Sequence, residues 1–99
     1  MGGELTDNTA ASRFELPVGD GLGFVSYRRA AGVLDLWHAE VPAAYAGRGE
    51  GSRLARAALE LIRSRGERIV PCCPFIANFV ASHPEFQDLL ADPAAGQRS

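Results

Sequence analysis

The chain contains no lysine: all ten of its Lys/Arg cations are arginines. No internal lysine can therefore act as a nucleophile or a self-modification site. Cysteine is nearly as scarce. Cys72 and Cys73 are the two present, and adjacent cysteines cannot bridge distant parts of a fold. A disulfide framework is excluded, and a cytoplasmic address is expected. Two cysteines without a second pair or a nearby histidine also make a poor zinc site, so no metal is expected. No apolar run approaches the ~20 residues that span a bilayer, and the first residues lack the basic start and apolar segment of a signal peptide. A formal charge of −2 leaves no electrostatic footprint for nucleic acid. No repeat recurs and no linker is long enough to separate domains, so 99 residues make one small domain with one core.

What is present is organised around residues 33–66. Val33 to Val41 is rich in β-branched and large apolar residues and reads as a strand that stops at Pro42, which cannot donate to a sheet ladder. The loop Ala46-Gly47-Arg48-Gly49-Glu50-Gly51 follows. Next, Leu54, Ala55, Ala58, Leu59 and Ile62 recur at helical spacing, with Arg53, Arg56, Glu60 and Arg63 on the other side. Gly66 is a natural stop, and Arg63 and Arg65 suit a helix C-terminus. A glycine loop opening a helix is a ready site for anionic oxygen, because unpaired N–H groups and the helix dipole point the same way. A nucleotide-hydrolysing P-loop is excluded, since no lysine precedes Ser52. A dinucleotide fingerprint is excluded because Gly47, Gly49 and Gly51 have the wrong period.

The flanking segments complete a mixed α/β (α+β) pattern. Residues 1–11 are small and polar and are expected to fray. Strands are expected at Ser12–Leu16 and Leu22–Arg29, joined through Val18-Gly19-Asp20-Gly21. Ala30-Ala31-Gly32 turns into the third strand, giving an antiparallel meander. Glu67–Cys72 is a fourth strand, able to lie parallel to the third by a crossover through the helix. Pro74 favours the first turn of a C-terminal helix carrying Phe75, Ile76, Phe79 and Val80, and His83-Pro84 breaks it. Pro84–Leu90 makes a last short helical turn. The domain is expected over 12–91, with 92–99 as a tail.

Four separated segments now agree in order and spacing: Leu36-Trp37-His38-Ala39-Glu40-Val41-Pro42, the glycine loop, Val70-Pro71-Cys72-Cys73-Pro74-Phe75, and His83-Pro84-Glu85-Phe86. Together they resemble the minimal YjdJ-type branch of the GNAT superfamily of acyl-CoA-dependent N-acetyltransferases, from about Phe14 to Leu90. The resemblance implies a small GNAT-like fold without the first helices of full-size members, and a third strand splayed from the fourth. It implies acetyl-CoA as co-substrate, a pyrophosphate loop at Arg48, Gly49, Glu50, Gly51 and Ser52, and a carbonyl-polarising backbone N–H around Val41. The acetyl group would pass directly to an unidentified amine, small or on a peptide or protein. Two departures stand out. The loop has Ala46 where the family usually has Arg or Gln, so Arg48, Arg53 or Arg56 would supply that charge. The last helix lacks the tyrosine that often serves as general acid.

Acetyl transfer requires an amine to lose a proton, a thioester carbonyl to be polarised and a thiolate to be protonated. Strict alternation puts Leu34, Leu36, His38 and Glu40 on one face of the third strand, with Asp35, Trp37, Ala39 and Val41 on the other. Glu40 reads as the general base or as an arginine's ion-pair partner, since a carboxylate at a central strand end is costly to bury without a role. His38 reads as a proton relay or as a hydrogen-bonded sheet histidine. Cys73, at the start of a helix, reads as an acid or nucleophile with a lowered pKa, or as a small buried apolar residue. Asn78 and Ala81 repeat an N-x-x-A spacing that, in some members, contacts the cofactor arm; a solvated helix face reads equally from the residues. Trp37 and Cys72 read as core, and His83 as a helix stop. Tyr45 packs beside the loop or lines an acceptor entrance. The alternative of a different class is a non-catalytic acyl-CoA-binding or interaction module.

Overall fold

Five strands form one mixed sheet in the computed structural model, which describes residues 4–91: β1 (Thr6–Asn8), β2 (Arg13–Val18), β3 (Gly21–Ala30), β4 (Val33–Glu40) and β5 (Arg68–Pro71). They lie in the order β1-β2-β3-β4-β5. The first four pair antiparallel, and β5 lies parallel to β4. A fifteen-residue helix, α1 (Glu50–Ser64), links β4 to β5, and α2 (Pro74–Ser82) follows. Short 3₁₀ turns occupy Ala43–Tyr45 and Pro84–Leu89. This is the small α+β architecture expected: a meander, a β-α-β unit and a C-terminal helix. Residues 92–99, expected as a tail, lie outside the described residues.

The core lies on one side of the sheet. Phe14, Leu16, Val25, Tyr27, Leu34 and Leu36 point into it and are buried. From above, α1 contributes Leu54, Ala55, Ala58, Leu59 and Ile62, the stripe its periodicity predicts, and α2 contributes Ile76, Phe79 and Val80. Each large aliphatic side chain buried here contributes roughly 1.5–3 kcal/mol. α1 stops at Gly66, whose φ of +70° is left-handed; its amide bonds Arg63 O, and that of Glu67 bonds Ile62 O. This is a glycine-terminated helix cap of the kind the sequence predicts.

One strand has no signal in the sequence. Residues 1–11 are expected to fray, yet Thr6–Asn8 pairs with β2. Asp7 is the reason. Its side chain is 8% exposed, accepts the Tyr27 hydroxyl at 2.6 Å and the Arg65 guanidinium at 2.7 Å, and lies 3.8 Å from Arg29. One carboxylate thus ties the edge strand to the middle of the sheet and to the end of α1.

Burial acts to raise the Asp7 pKa, but the Tyr27 and Arg65 hydrogen bonds together outweigh it and hold the carboxyl below the usual range. A carboxyl depressed in the fold stabilises it above the unfolded pKa, and that contribution is lost as pH falls through the folded value. Asp7→Asn should therefore cost about 1–3 kcal/mol near neutrality. It should also flatten the loss of stability below about pH 4. Urea unfolding of both proteins between pH 7 and pH 2.5 measures this; equal stabilities at every pH would show that Asp7 holds nothing.

Candidate active site

The site begins where the sheet divides. β4 and β5 pair from Val33 and Arg68 to Leu36 and Pro71. Pro71 has no amide hydrogen for a further rung. After it, the Cys72 amide turns back to Val70 O, the Cys73 amide bonds Leu36 O at 2.8 Å, and Pro74 starts α2. β4 nevertheless continues to Glu40, held by β3 through Ser26↔His38, Val25↔Ala39 and Phe24↔Glu40. Its other edge, from Trp37 to Glu40, is unpaired among the described residues.

A bulge accompanies the split. Tyr27 pairs with Leu36 and Ser26 with His38, so Trp37 has no partner across β3. An extra residue reverses the alternation beyond it. Leu34 and Leu36 face the core, and so, past the bulge, do Ala39 and Val41. His38 and Glu40 therefore lie on the opposite face from Leu34 and Leu36, against the expectation of a shared face. Trp37, expected in the core, is 45% exposed, with the Arg28 guanidinium 5.2 Å from its ring centre. This outer face carries no helix among the described residues, which is also why Cys72, expected in the core, is exposed.

The glycine loop stands across from the open edge. Gly49 caps α1 at φ +82°, a left-handed conformation that costs other residues about 1 kcal/mol or more. Among the described residues, no side chain caps the helix and no backbone carbonyl receives the amides of Glu50, Gly51 or Ser52. Gly51 is glycine for a second reason: a Cβ there would lie 2.9 Å from the Phe75 ring. Tyr45 fixes the loop from behind. Its ring packs on Gly19 where any side chain would collide, and its hydroxyl donates to Asp20 at 3.2 Å.

Between loop and strand lies a cavity of about 430 Å³. It is lined by Ala39, Glu40 and Val41 from the end of β4, by the loop and the first turns of α1, and by Phe75. Of the predicted site residues, Glu40, Val41, Gly49, Gly51 and Ser52 line it. His38 does not, but its Nε2 lies 3.2 Å from Glu40 Oε1. The Glu40 side chain is 63% exposed, so the burial cost that argued for a role does not arise. Glu50 is paired with Arg53 at 2.7 Å, and Arg53 also donates to Pro17 O. Arg56 pairs with Glu85. Arg48 has no carboxylate partner among the described residues, and its guanidinium lies 5.9 Å from the Tyr45 ring centre. Cys73 is buried in the core and Asn78 lies exposed on α2; neither lines the cavity. The Cys72 thiol is pushed up, first by the neighbouring Asp35 carboxylate and then by burial, which makes it a poor nucleophile. Sequence reasoning missed Phe75 as a lining residue; its place beside Pro74, facing a loop of small residues, was the available signal.

A parallel strand pair that parts over a glycine-opened helix, with one strand edge unpaired among the described residues, defines a small GNAT-like acetyltransferase fold. Residues 13–89 match the family of GCN5-related N-acetyltransferases, to which the chain belongs. It is 42% identical over 52 residues to Protein NATD1 of Bos taurus, covering 52% of this chain and 46% of that protein. Against Protein NATD1 of Gallus gallus and of Homo sapiens it is 38% identical over 52 residues, covering 47% and 46% of those chains. The chain thus spans about half the length of the curated relatives it matches. No helix of the described residues is long and apolar enough to cross a membrane.

Because Trp37 sits on a bare face rather than in the core, Trp37→Ala should cost less than about 1.5 kcal/mol, against roughly 3–5 kcal/mol for a buried tryptophan. Urea denaturation gives the difference directly, and a loss in the upper range would place the indole in the core.

Proposed function

We propose that this protein transfers an acetyl group from acetyl-coenzyme A directly to an amine, with residues 12–91 as the acting domain. Within the family, the resemblance of the four motifs supports the minimal YjdJ-type branch, and the cysteine usage supports a cytoplasmic address. The observation that carries the reading is that one cavity joins the glycine loop at Gly49, Gly51 and Ser52, where the amides of Gly51 and Ser52 meet no backbone carbonyl among the described residues, to the unpaired end of β4 at Glu40. The residues fit the donor. The amides and the helix dipole suit its pyrophosphate. Arg48 is free to supply the charge that Ala46 does not, and the open edge of β4 can pair with the amide-bearing arm as an added strand would. Acetyl-coenzyme A supplies the activated acetyl group as a thioester.

Within this reading Glu40 accepts the proton of the incoming amine, and His38, within hydrogen-bond reach of it, orients the carboxylate. A backbone N–H near Val41 meets the negative charge that develops on the acyl oxygen. Val41 and Ser52 complete the binding wall. Cys73 packs in the core rather than in the cavity, and this reading gives it no role in the transfer. The outer face next to Glu40 carries no helix among the described residues, which suits an exposed amine as acceptor, including one on a peptide or protein. The lack of a tyrosine on α2 favours a second reading, in which the cavity binds acyl-coenzyme A without turnover.

Titration with acetyl-coenzyme A followed by an assay of free thiol release, with and without an amine panel, separates the two. Amine-dependent release that falls about 10²-fold or more in Glu40→Gln, with binding kept, is expected. Tight binding without turnover in either protein supports the binding module. Gly51→Val should abolish binding under both readings; a Gly51→Val protein that bound as well as the wild type would show the phosphate loop to be misassigned.

A further inference from the structure

We infer that the acceptor is an amine joined by a short aliphatic link to an apolar ring, and that Phe24 and Trp37 select it, an inference that rests on the function proposed above. Glu40 is the junction. The residue lines the cavity, while its side chain is 63% exposed on the face of β4 away from the core. Phe24 stands directly opposite Glu40 on β3 and lies outside the core cluster. Side chains paired in this way have Cβ atoms about 4.5–5.5 Å apart. His38, 3.2 Å from Glu40, has its ring centre 5.9 Å from that of Phe24 and 5.8 Å from that of Trp37. The three rings therefore form one row that starts beside the carboxylate. Trp37 is its open end, 45% exposed because the bulge turns it out of the core. An indole left in water adds little to the fold, and large exposed apolar groups rimmed by polar ones mark binding surfaces.

The charges along the row decide what it takes. An ammonium that hydrogen-bonds the Glu40 carboxylate sits at the end nearest the cavity. A body one or two methylenes from that ammonium meets Phe24 or His38 first and Trp37 next. Aromatic rings pack offset or edge-to-face without directional hydrogen bonds, so a ring on the acceptor is held by the row without a matching polar group. A second ammonium meets cations instead. The Arg13 guanidinium lies 4.5 Å from the Phe24 ring centre and that of Arg28 lies 5.2 Å from the Trp37 ring centre. Arg13 is paired with Glu15. Arg28 makes no ion pair among the described residues, not even with Asp35 opposite it on β4. Its charge repels a cation placed along the row. Polyamines and lysine-rich segments are thereby disfavoured, and a singly charged amine bearing an apolar ring fits both ends.

Thiol release from acetyl-coenzyme A, measured with 2-phenylethylamine, a peptide beginning with phenylalanine, ethanolamine and spermidine, tests this. The first two carry the same amine-to-ring spacing and distinguish a free amine from a peptide end. At least one of them should show a kcat/KM about 10-fold or more above ethanolamine and spermidine. Trp37→Ala should lower that preference about 5- to 50-fold, and Trp37→Phe should keep most of it. Thermal unfolding confirms that both variants fold. Trp37 is the single tryptophan of the chain, so its emission reports binding without turnover. With coenzyme A present, 2-phenylethylamine should change that emission saturably and ethanolamine should not. A preference for ethanolamine or spermidine, or one that Trp37→Ala leaves unmoved, would overturn the inference while acetyl transfer stands. Emission unmoved at concentrations of 2-phenylethylamine that saturate its turnover would do the same. No thiol release with any of the four amines would overturn the proposed transfer and the inference with it.

Discussion

Pro71 has no amide hydrogen to give to β4, and two residues later the Cys73 amide closes the last rung on Leu36 before Pro74 turns the chain into α2. The parallel pair ends there because the chain can no longer supply donors along it. β4 does not end with it. Its β3 side stays paired through Glu40, so the strand is held rigid on one edge and free on the other. A free edge on a strand fixed by its neighbour is the arrangement that adds a ligand's amides as one more strand. The cavity, the approach to the glycine loop and the position of Glu40 all follow from that parting of two strands.

The bulge at Trp37 decides which side chains attend it. Without it, Glu40 and His38 would point into the core beneath α1, where an unpaired carboxylate costs several kcal/mol. With it, the small apolar residues Ala39 and Val41 line the cavity beneath the helix, and the pair His38–Glu40 reaches the bare outer face. The two faces of the strand end then differ in chemistry: one is apolar and lines the cavity, and the other bears a carboxylate, an imidazole and the rings of Phe24 and Trp37. The arginines of the loop and of α1 are divided as well. Arg53 and Arg56 are spent on Glu50 and Glu85, which leaves Arg48 as the guanidinium of the loop free of a carboxylate among the described residues.

Much of this was legible in the sequence because it is local. The meander, the stripe Leu54-Ala55-Ala58-Leu59-Ile62, the Gly66 stop and the helix start at Pro74 each rest on residues within one turn or one hairpin. What was hidden depends on residues far apart. β1 is polar and has no strand pattern; it is held by Asp7 through Tyr27 and Arg65, which lie twenty and fifty-eight positions away. The bulge is a fact about register between β3 and β4, so period-2 counting along β4 alone put Trp37 inside and His38 with Leu36. Cys72 and Cys73 were placed on opposite faces, as they are. Which of them was buried could not be read without knowing that, among the described residues, helices cover the sheet on one side only, and that Cys73 faces that side.

The central claim is that coenzyme A lies between the free amides of α1 and the unpaired edge of β4. Amide chemical shifts of the ¹⁵N-labelled protein, followed through a titration with coenzyme A, test it most directly. The account predicts that the largest changes fall on Glu50, Gly51 and Ser52 and on Trp37 to Val41, with β1 and β2 unmoved. Saturable binding whose shifts cluster on β1 and β2, with the α1 amides undisturbed, would contradict it.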